Sequence, residues 1–235
     1  MHYIVYNRSI YAGFEKGVCM KNKLAFTLAE VLVTLGIIGV VSAMTVPTLM
    51  QNYQRQSYVT QLHKTYNEIS QALLRYQTDR NAINLSEAGL SSQDAVNNFI
   101  TTYFKNVKEC DTMNNCFASS YKAMDGGTIN NYSANVKSYV FASGVSIRPL
   151  YAKSGAKLIN IGIDINGQKG PNIGGRDLFW FYVYNNGVID DFPIDANTVA
   201  PMTSAERDTQ FTTYCNSTAD GCFGKILNDN WQMTY

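Results

Sequence analysis

The sequence predicts an α+β fold: a long amino-terminal helix, membrane-spanning in its first half and amphipathic in its second, packed on an antiparallel β-sheet with disulfide-closed loops. Three observations predict it. Twenty consecutive residues, Val31 to Met50, carry no charge, enough at a rise of ~1.5 Å per residue to cross a ~30 Å hydrocarbon core. Val59, Leu62, Tyr66, Ile69, Leu73 and Tyr76 then step by alternating threes and fours, the stripe of an amphipathic helix. Past residue 138 the apolar pattern shortens to that of strands.

Taken in order, the first element begins with Lys21 and Lys23, which favour holding that end of the span on the cytoplasmic side. From Leu24 to Gln54 the only charged side chain is Glu30. A carboxylate carried to the bilayer centre costs about 2–3 kcal/mol, so Glu30 needs a partner. Pro47 lacks the N–H that would bond residue 43, and the helix is expected to bend or open there. Polar residues fill the faces beside the 59–76 stripe, and the helix is expected to end near Asp79-Arg80-Asn81.

Ser91-Ser-Gln-Asp94 supplies a cap and an early acid for a short second helix running through about Phe104. Residues 105–137 read as an irregular connection. Strand signals follow at Ser138 to Ile147, interrupted by a turn or bulge at Ser143-Gly144, and at Lys157 to Ile165, with Leu158, Ile159, Ile161, Ile163 and Ile165. Leu178 to Tyr184 is nearly all apolar or aromatic, the mark of a central strand covered on both faces rather than of a stacking platform. Val188 to Phe192 follows after Asn185-Asn-Gly187, a hairpin turn. The tail, 193–235, reads as loop-rich.

Cysteine usage fits this order. Of 5 cysteines, Cys19 precedes the span and Cys110, Cys116, Cys215 and Cys222 all follow it. Four cysteines in an oxidising compartment allow three pairings. The local pairs Cys110–Cys116 and Cys215–Cys222 are expected, because each closes a short polar loop. Zinc competes poorly: neither pair has C-x-x-C spacing, and only His63 stands on the same side of the span to assist.

The segment Lys21-Asn-Lys-Leu-Ala25-Phe26-Thr-Leu-Ala-Glu30, followed by the apolar run with Gly36, Gly39 and Pro47, resembles the prepilin-type cleavage and methylation motif of type IV pilins and type II secretion pseudopilins. The match runs from Lys21 to Pro47. It departs at one place, since Ala25 stands where the family usually has Gly. The resemblance implies a pilin-like fold and a structural subunit, not an enzyme. It also implies cleavage between Ala25 and Phe26 by a prepilin peptidase, methylation of the Phe26 amine, and a role for Glu30 in assembly. Other pilin or pseudopilin subunits and an inner-membrane assembly platform would be its partners. The location implied is the bacterial inner membrane, with the carboxy-terminal domain outside the cytoplasm, and then a pilus or periplasmic pseudopilus.

The expected divisions are a leader or extension over 1–25, a transmembrane helix over 26–50, its amphipathic continuation over 51–80, and an extracytoplasmic globular domain over 81–235. Met20 to Ala25 is already a short basic leader, so translation is expected to begin at Met20; a long natural leader is the alternative. A minor pilin for adhesion or DNA uptake is a second reading of function, and a membrane-anchored ectodomain that never polymerises is a third. The charge balance offers the second no support. The whole chain carries +1; without residues 1–25 it holds 15 Lys and Arg against 17 Asp and Glu, which gives no electrostatic case for nucleic acid. Glu30 argues against the third, since a plain anchor has no use for a carboxylate in its span.

Catalytic signatures are missing: there is no G-x-S-x-G, Walker loop, H-E-x-x-H or G-x-G-x-x-G. His63 falls on the polar side of the long helix, where a solvated histidine is expected. One motif stands out beyond the cleavage segment, the glycine-rich loop from Asp164 to Asp177. Asp164, Asn166 and Asp177 offer oxygens to a calcium ion, and some secretion pseudopilins bind calcium, but the closing Glu of an EF-hand is missing. The competing and favoured reading is that Asp164 and Asp177 cap turns through backbone amides, leaving the chain without a cofactor.

Overall fold

The structure, a computed structural model, describes residues 27–130 and 135–235. The chain divides into two compact units, Met1–Pro47 and Thr48–Tyr235. Helix α1 spans Leu28–Asp79 and contains Pro47, where one unit gives way to the other.

In the first unit every described side chain is exposed, including Leu32, Val33, Leu35, Ile37, Ile38 and Val40 at about 60%. A largely apolar helix left uncovered among the described residues is long and apolar enough to cross a membrane.

The second unit holds the core. Its part of α1 buries Val59, Leu62, Thr65, Ile69, Ala72, Leu73 and Tyr76, the expected stripe with Thr65 and Ala72 added and Tyr66 only half-buried. The sheet is a six-stranded antiparallel meander in chain order: β1 (Asn106–Cys110), β2 (Ser138–Phe141), β3 (Ser146–Ser154), β4 (Lys157–Asp164), β5 (Leu178–Tyr184) and β6 (Ile189–Asp190). All seven residues of β5 are buried, so both faces of this strand are covered. Phe181 meets Phe223 at 4.2 Å between ring centroids, and Tyr66 of α1 stands edge-on to Phe181 at 6.1 Å. Trp180, of opposite alternation, lies across Gly162 of β4, where a Cβ would come within 2.5 Å of its ring.

Helix α2 (Gln93–Tyr103) is capped by Ser92, whose side chain accepts from the Ala95 N–H. It also finishes the sheet. Strand β2 pairs with β3 only as far as Ile147, and the Gln93 amide takes over, donating to the Pro149 carbonyl at 3.0 Å and accepting from the Tyr151 N–H at 2.8 Å.

Of the turn or bulge expected at Ser143-Gly144 the structure has the turn: Gly144 stands at φ +87° and β2 pairs back on β3. Three sequence expectations need correction. Strand β3 continues to Ser154 through Pro149, which a strand tolerates only where its missing N–H would meet no partner. That is the side β2 has left. The connection 105–137 contains a strand, β1, mostly exposed and anchored by the buried Cys110 at its end. The tail is not loop-rich but carries α3 (Ser204–Thr218) and α4 (Cys222–Asn228). Thr203 and Glu206 form a full capping box at the start of α3. Buried Asp191 accepts N–H bonds from Gly221, at 2.8 Å, and from Gly224, fastening the start of α4 to the end of the sheet.

Candidate functional site

The site at the head of α1 is built by two side chains. Thr27 precedes the first helical residue, and its carbonyl accepts the Val31 N–H at 3.2 Å, which makes Thr27 the cap. Its hydroxyl accepts the Glu30 N–H at 3.2 Å. In return Glu30 Oε2 accepts the Thr27 N–H and the Thr27 hydroxyl, both at 2.8 Å. This is a reciprocal Thr-x-x-Glu capping box, and the carboxylate also complements the positive end of the helix dipole. Both bonds end on Oε2, so Oε1 keeps its acceptor capacity for a further donor. The role of Thr27 was readable from its spacing to Glu30 but was missed in favour of the apolar run. Ala25 and Phe26, the expected cleavage and methylation residues, and the whole leader with Met20 lie outside the described residues.

The Asp164–Asp177 loop joins β4 to β5. Asp164 and Asp177 are fully buried. Asp164 Oδ1 accepts the Asn166 N–H at 3.1 Å and Oδ2 accepts the Tyr121 hydroxyl. Asp177 Oδ2 and Oδ1 accept the Asn172 and Ile173 N–H groups, each at 2.7 Å. Burial pushes the Asp164 carboxyl up to about 7, against the pull of the Tyr121 bond, and burial likewise raises Asp177. Every carboxylate oxygen of the calcium set already takes a hydrogen bond, whereas Asn166 turns its Nδ2 to the Gly170 carbonyl at 3.2 Å and its buried Oδ1 has no hydrogen-bond partner among the described residues. Both carboxylates thus bond backbone amides of their own loop, as turn caps do. Among the described residues no group of three or more His, Cys, Asp and Glu gathers to hold a metal. Tyr121, which the sequence reading did not single out, is the main new member of this cluster.

Cys110–Cys116 and Cys215–Cys222 are both closed as disulfides, with Cα separations of 6.2 and 4.9 Å. The second bridge is packed under the glycine-rich loop. At Gly175, φ +75°, a Cβ would stand 2.6 Å from Cys222 Sγ, so only glycine fits. His63, expected in solvent, is half-buried and stacks on Trp231 at 3.9 Å with 17° between ring planes.

Residues 20–46 match the family model described as the prokaryotic N-terminal methylation motif. The chain carries the type IV pilin and pseudopilin signature. With it stand a long apolar helix, a six-stranded antiparallel sheet and two disulfides, an α+β pilin-like arrangement. The pilin signature marks a structural family, implies processing by a prepilin peptidase and pilin assembly, and fits a membrane-anchored chain together with the apolar helix. No curated protein and no solved structure matches this pilin-like chain.

Proposed function

We propose that the chain is a structural subunit of a type IV pilus or a type II secretion pseudopilus. A prepilin peptidase cuts between Ala25 and Phe26 and the new Phe26 amine is methylated. The inner membrane then holds the subunit by residues 26–50, with residues 51–80 continuing the helix and 81–235 folded outside the cytoplasm. Assembly replaces the lipid around the first part of α1 with the same helices of neighbouring subunits.

The observation that carries this reading is a single carboxylate at the head of a helix whose first part, through Met50, is otherwise uncharged and exposed, inside the methylation motif. In the filament a neighbour's Phe26 amine reaches Glu30 Oε1 while Thr27 keeps Oε2. Pairing removes two isolated charges from a low-dielectric core, and its chief effect is on register, because the desolvation of both groups offsets most of the attraction. The test is mass spectrometry of the mature amino terminus together with recovery of the subunit in sheared filaments. A methylated Phe26 terminus in a filament fraction is expected. An uncut chain, or a cut chain that never enters a filament, overturns the reading.

A further inference from the structure

The apolar run of α1 stops at Met50, and the polar side chains just after it form a groove with the β4–β5 loop. Gln51, Gln54, Arg55 and Tyr58 line one side, Pro171 and Arg176 the other, around a cavity of ≈ 280 Å³. Arg55 makes no ion pair or hydrogen bond among the described residues. Arg176 donates Nη1 to the Tyr235 carbonyl at 2.7 Å and approaches Met233 Sδ at 3.5 Å, with Nε and Nη2 unused. Burial and then the neighbouring Arg55 guanidinium push Arg176 below its usual range, while Tyr235 pulls the other way. The carboxylates whose charge reaches Tyr58, Asp177 and Asp164, already give their oxygens to backbone amides and to Tyr121. Two like charges therefore share one groove with donors to spare.

Position names the ligand class. At ~1.5 Å per residue, Gln51 to Arg55 lie about 1.5–7.5 Å past Met50. The headgroup layer accounts for about 5–7 Å on each side of the hydrocarbon core. Tyr53, 75% exposed, stands at the same level, where amphipathic rings favour the membrane surface. Guanidinium groups match phosphate oxygens in charge and in planar donor geometry.

We propose that this groove holds the phosphate of an anionic phospholipid in the leaflet from which α1 emerges. The proposal rests on the reading of α1 as a membrane anchor. Seated there, a headgroup neutralises the repulsion between Arg55 and Arg176 and fixes the loop against the membrane surface.

The test is lipid retention by the full chain in nanodiscs of equimolar phosphatidylglycerol and phosphatidylcholine, read by native mass spectrometry. Phosphatidylglycerol should be retained in preference, less so at high salt, and Arg55→Gln should lower the preference about fivefold. Because Arg55 makes no ion pair or hydrogen bond among the described residues, that variant should keep the wild-type melting temperature. Equal retention of the two lipids, or an unchanged preference in Arg55→Gln, overturns the proposal. So does full displacement by millimolar inorganic phosphate, which would mark a site for free phosphate, or an Arg55-dependent crosslink between copies without lipid preference. Flotation with phosphatidylcholine vesicles separates the two readings: a chain that fails to float refutes the anchor, whereas one that floats without lipid preference refutes only the groove.

Discussion

Thr27 and Glu30 hold each other at the head of α1, the carboxylate Oε2 taking both the Thr27 N–H and its hydroxyl at 2.8 Å. The pair settles the local conflict of placing an acid in an apolar helix. The carboxylate satisfies a backbone donor that the helix start leaves open, and the bond to Thr27 fixes its rotamer so that one oxygen stays available.

Replacing Glu30 by Ala or Val should leave cleavage and membrane insertion intact and abolish filament incorporation, because an uncharged helix rests well in lipid but has nothing to offer a neighbour's amine. Thr27→Ser keeps the hydroxyl and should assemble normally. Thr27→Val loses a cap of about 1 kcal/mol and releases the carboxylate, so its filament yield should fall. Quantifying subunit in sheared filaments checks all three, and normal yield from the Glu30 variants would contradict the role given to that residue.

The mature chain should begin at methylated Phe26, with no peptide from residues 1–19 in cells. Peptide mapping of whole-cell protein decides both points. A peptide covering residues 1–19 would establish a long leader, and a mature form retaining Lys21-Asn22 would refute the cleavage position.

Local patterns predicted what local physics determines. The stripe of α1, the β5 run and the Asn185-Asn-Gly187 turn each satisfy their own backbone rules, and the structure places them almost as written. Strand β3 was hidden because Pro149 reads as a break until Gln93, far away in sequence, is seen serving the strand edge. The helices of the tail were hidden differently. Helix α3 is mostly polar and buries only Gln210 and Cys215, so it has almost no apolar period to detect. Its capping box, Thr203 with Glu206, was the one local signal available. At the amino-terminal site the residue types were legible and the Thr27–Glu30 bonds were implied by spacing. The Tyr121–Asp164 contact spans 43 positions and had no local trace.

Non-reducing peptide mapping should recover Cys110–Cys116 and Cys215–Cys222 and no crossed pair. Each short loop contributes about 2–3 kcal/mol through the unfolded state. Cys215→Ala with Cys222→Ala should cost more than the first pair's removal, because Gly175 packs directly on that sulfur and the tail helices meet the sheet there. Thermal melting of the two double variants ranks them; a larger loss from Cys110 and Cys116 would reverse the order proposed.

Stability should rise as pH falls from 8.5 to 5.5. Asp164 and Asp191 have folded values near 7, raised by burial from an ordinary 3.8. A carboxyl raised on folding binds its proton more tightly in the folded state. Its contribution is fully present below the unfolded value and is lost as pH climbs through the folded one. Each group is worth on the order of a few kcal/mol across that window. Asp164→Asn should flatten the slope of melting temperature against pH, and a wild-type slope of the opposite sign would show that these carboxyls are not held protonated.

Millimolar calcium should leave the melting curve unmoved. Calcium needs six or more oxygens at 2.3–2.6 Å, gathered with their lone pairs turned inward. In the loop, Asp164 faces the Tyr121 hydroxyl and the Asn166 N–H, and Asp177 faces the Asn172 and Ile173 N–H groups. To take an ion, these oxygens would have to turn their remaining lone pairs inward around one point, and any of the four donors displaced by that movement would be left buried at a cost of about 1–3 kcal/mol each. Calcium binding strong enough to repay that would raise the melting temperature through linkage, and Asp164→Ala would erase the rise. A calcium-dependent increase in the wild type, absent in Asp164→Ala, would therefore replace the turn-cap assignment with a metal site at Asp164, Asn166 and Asp177.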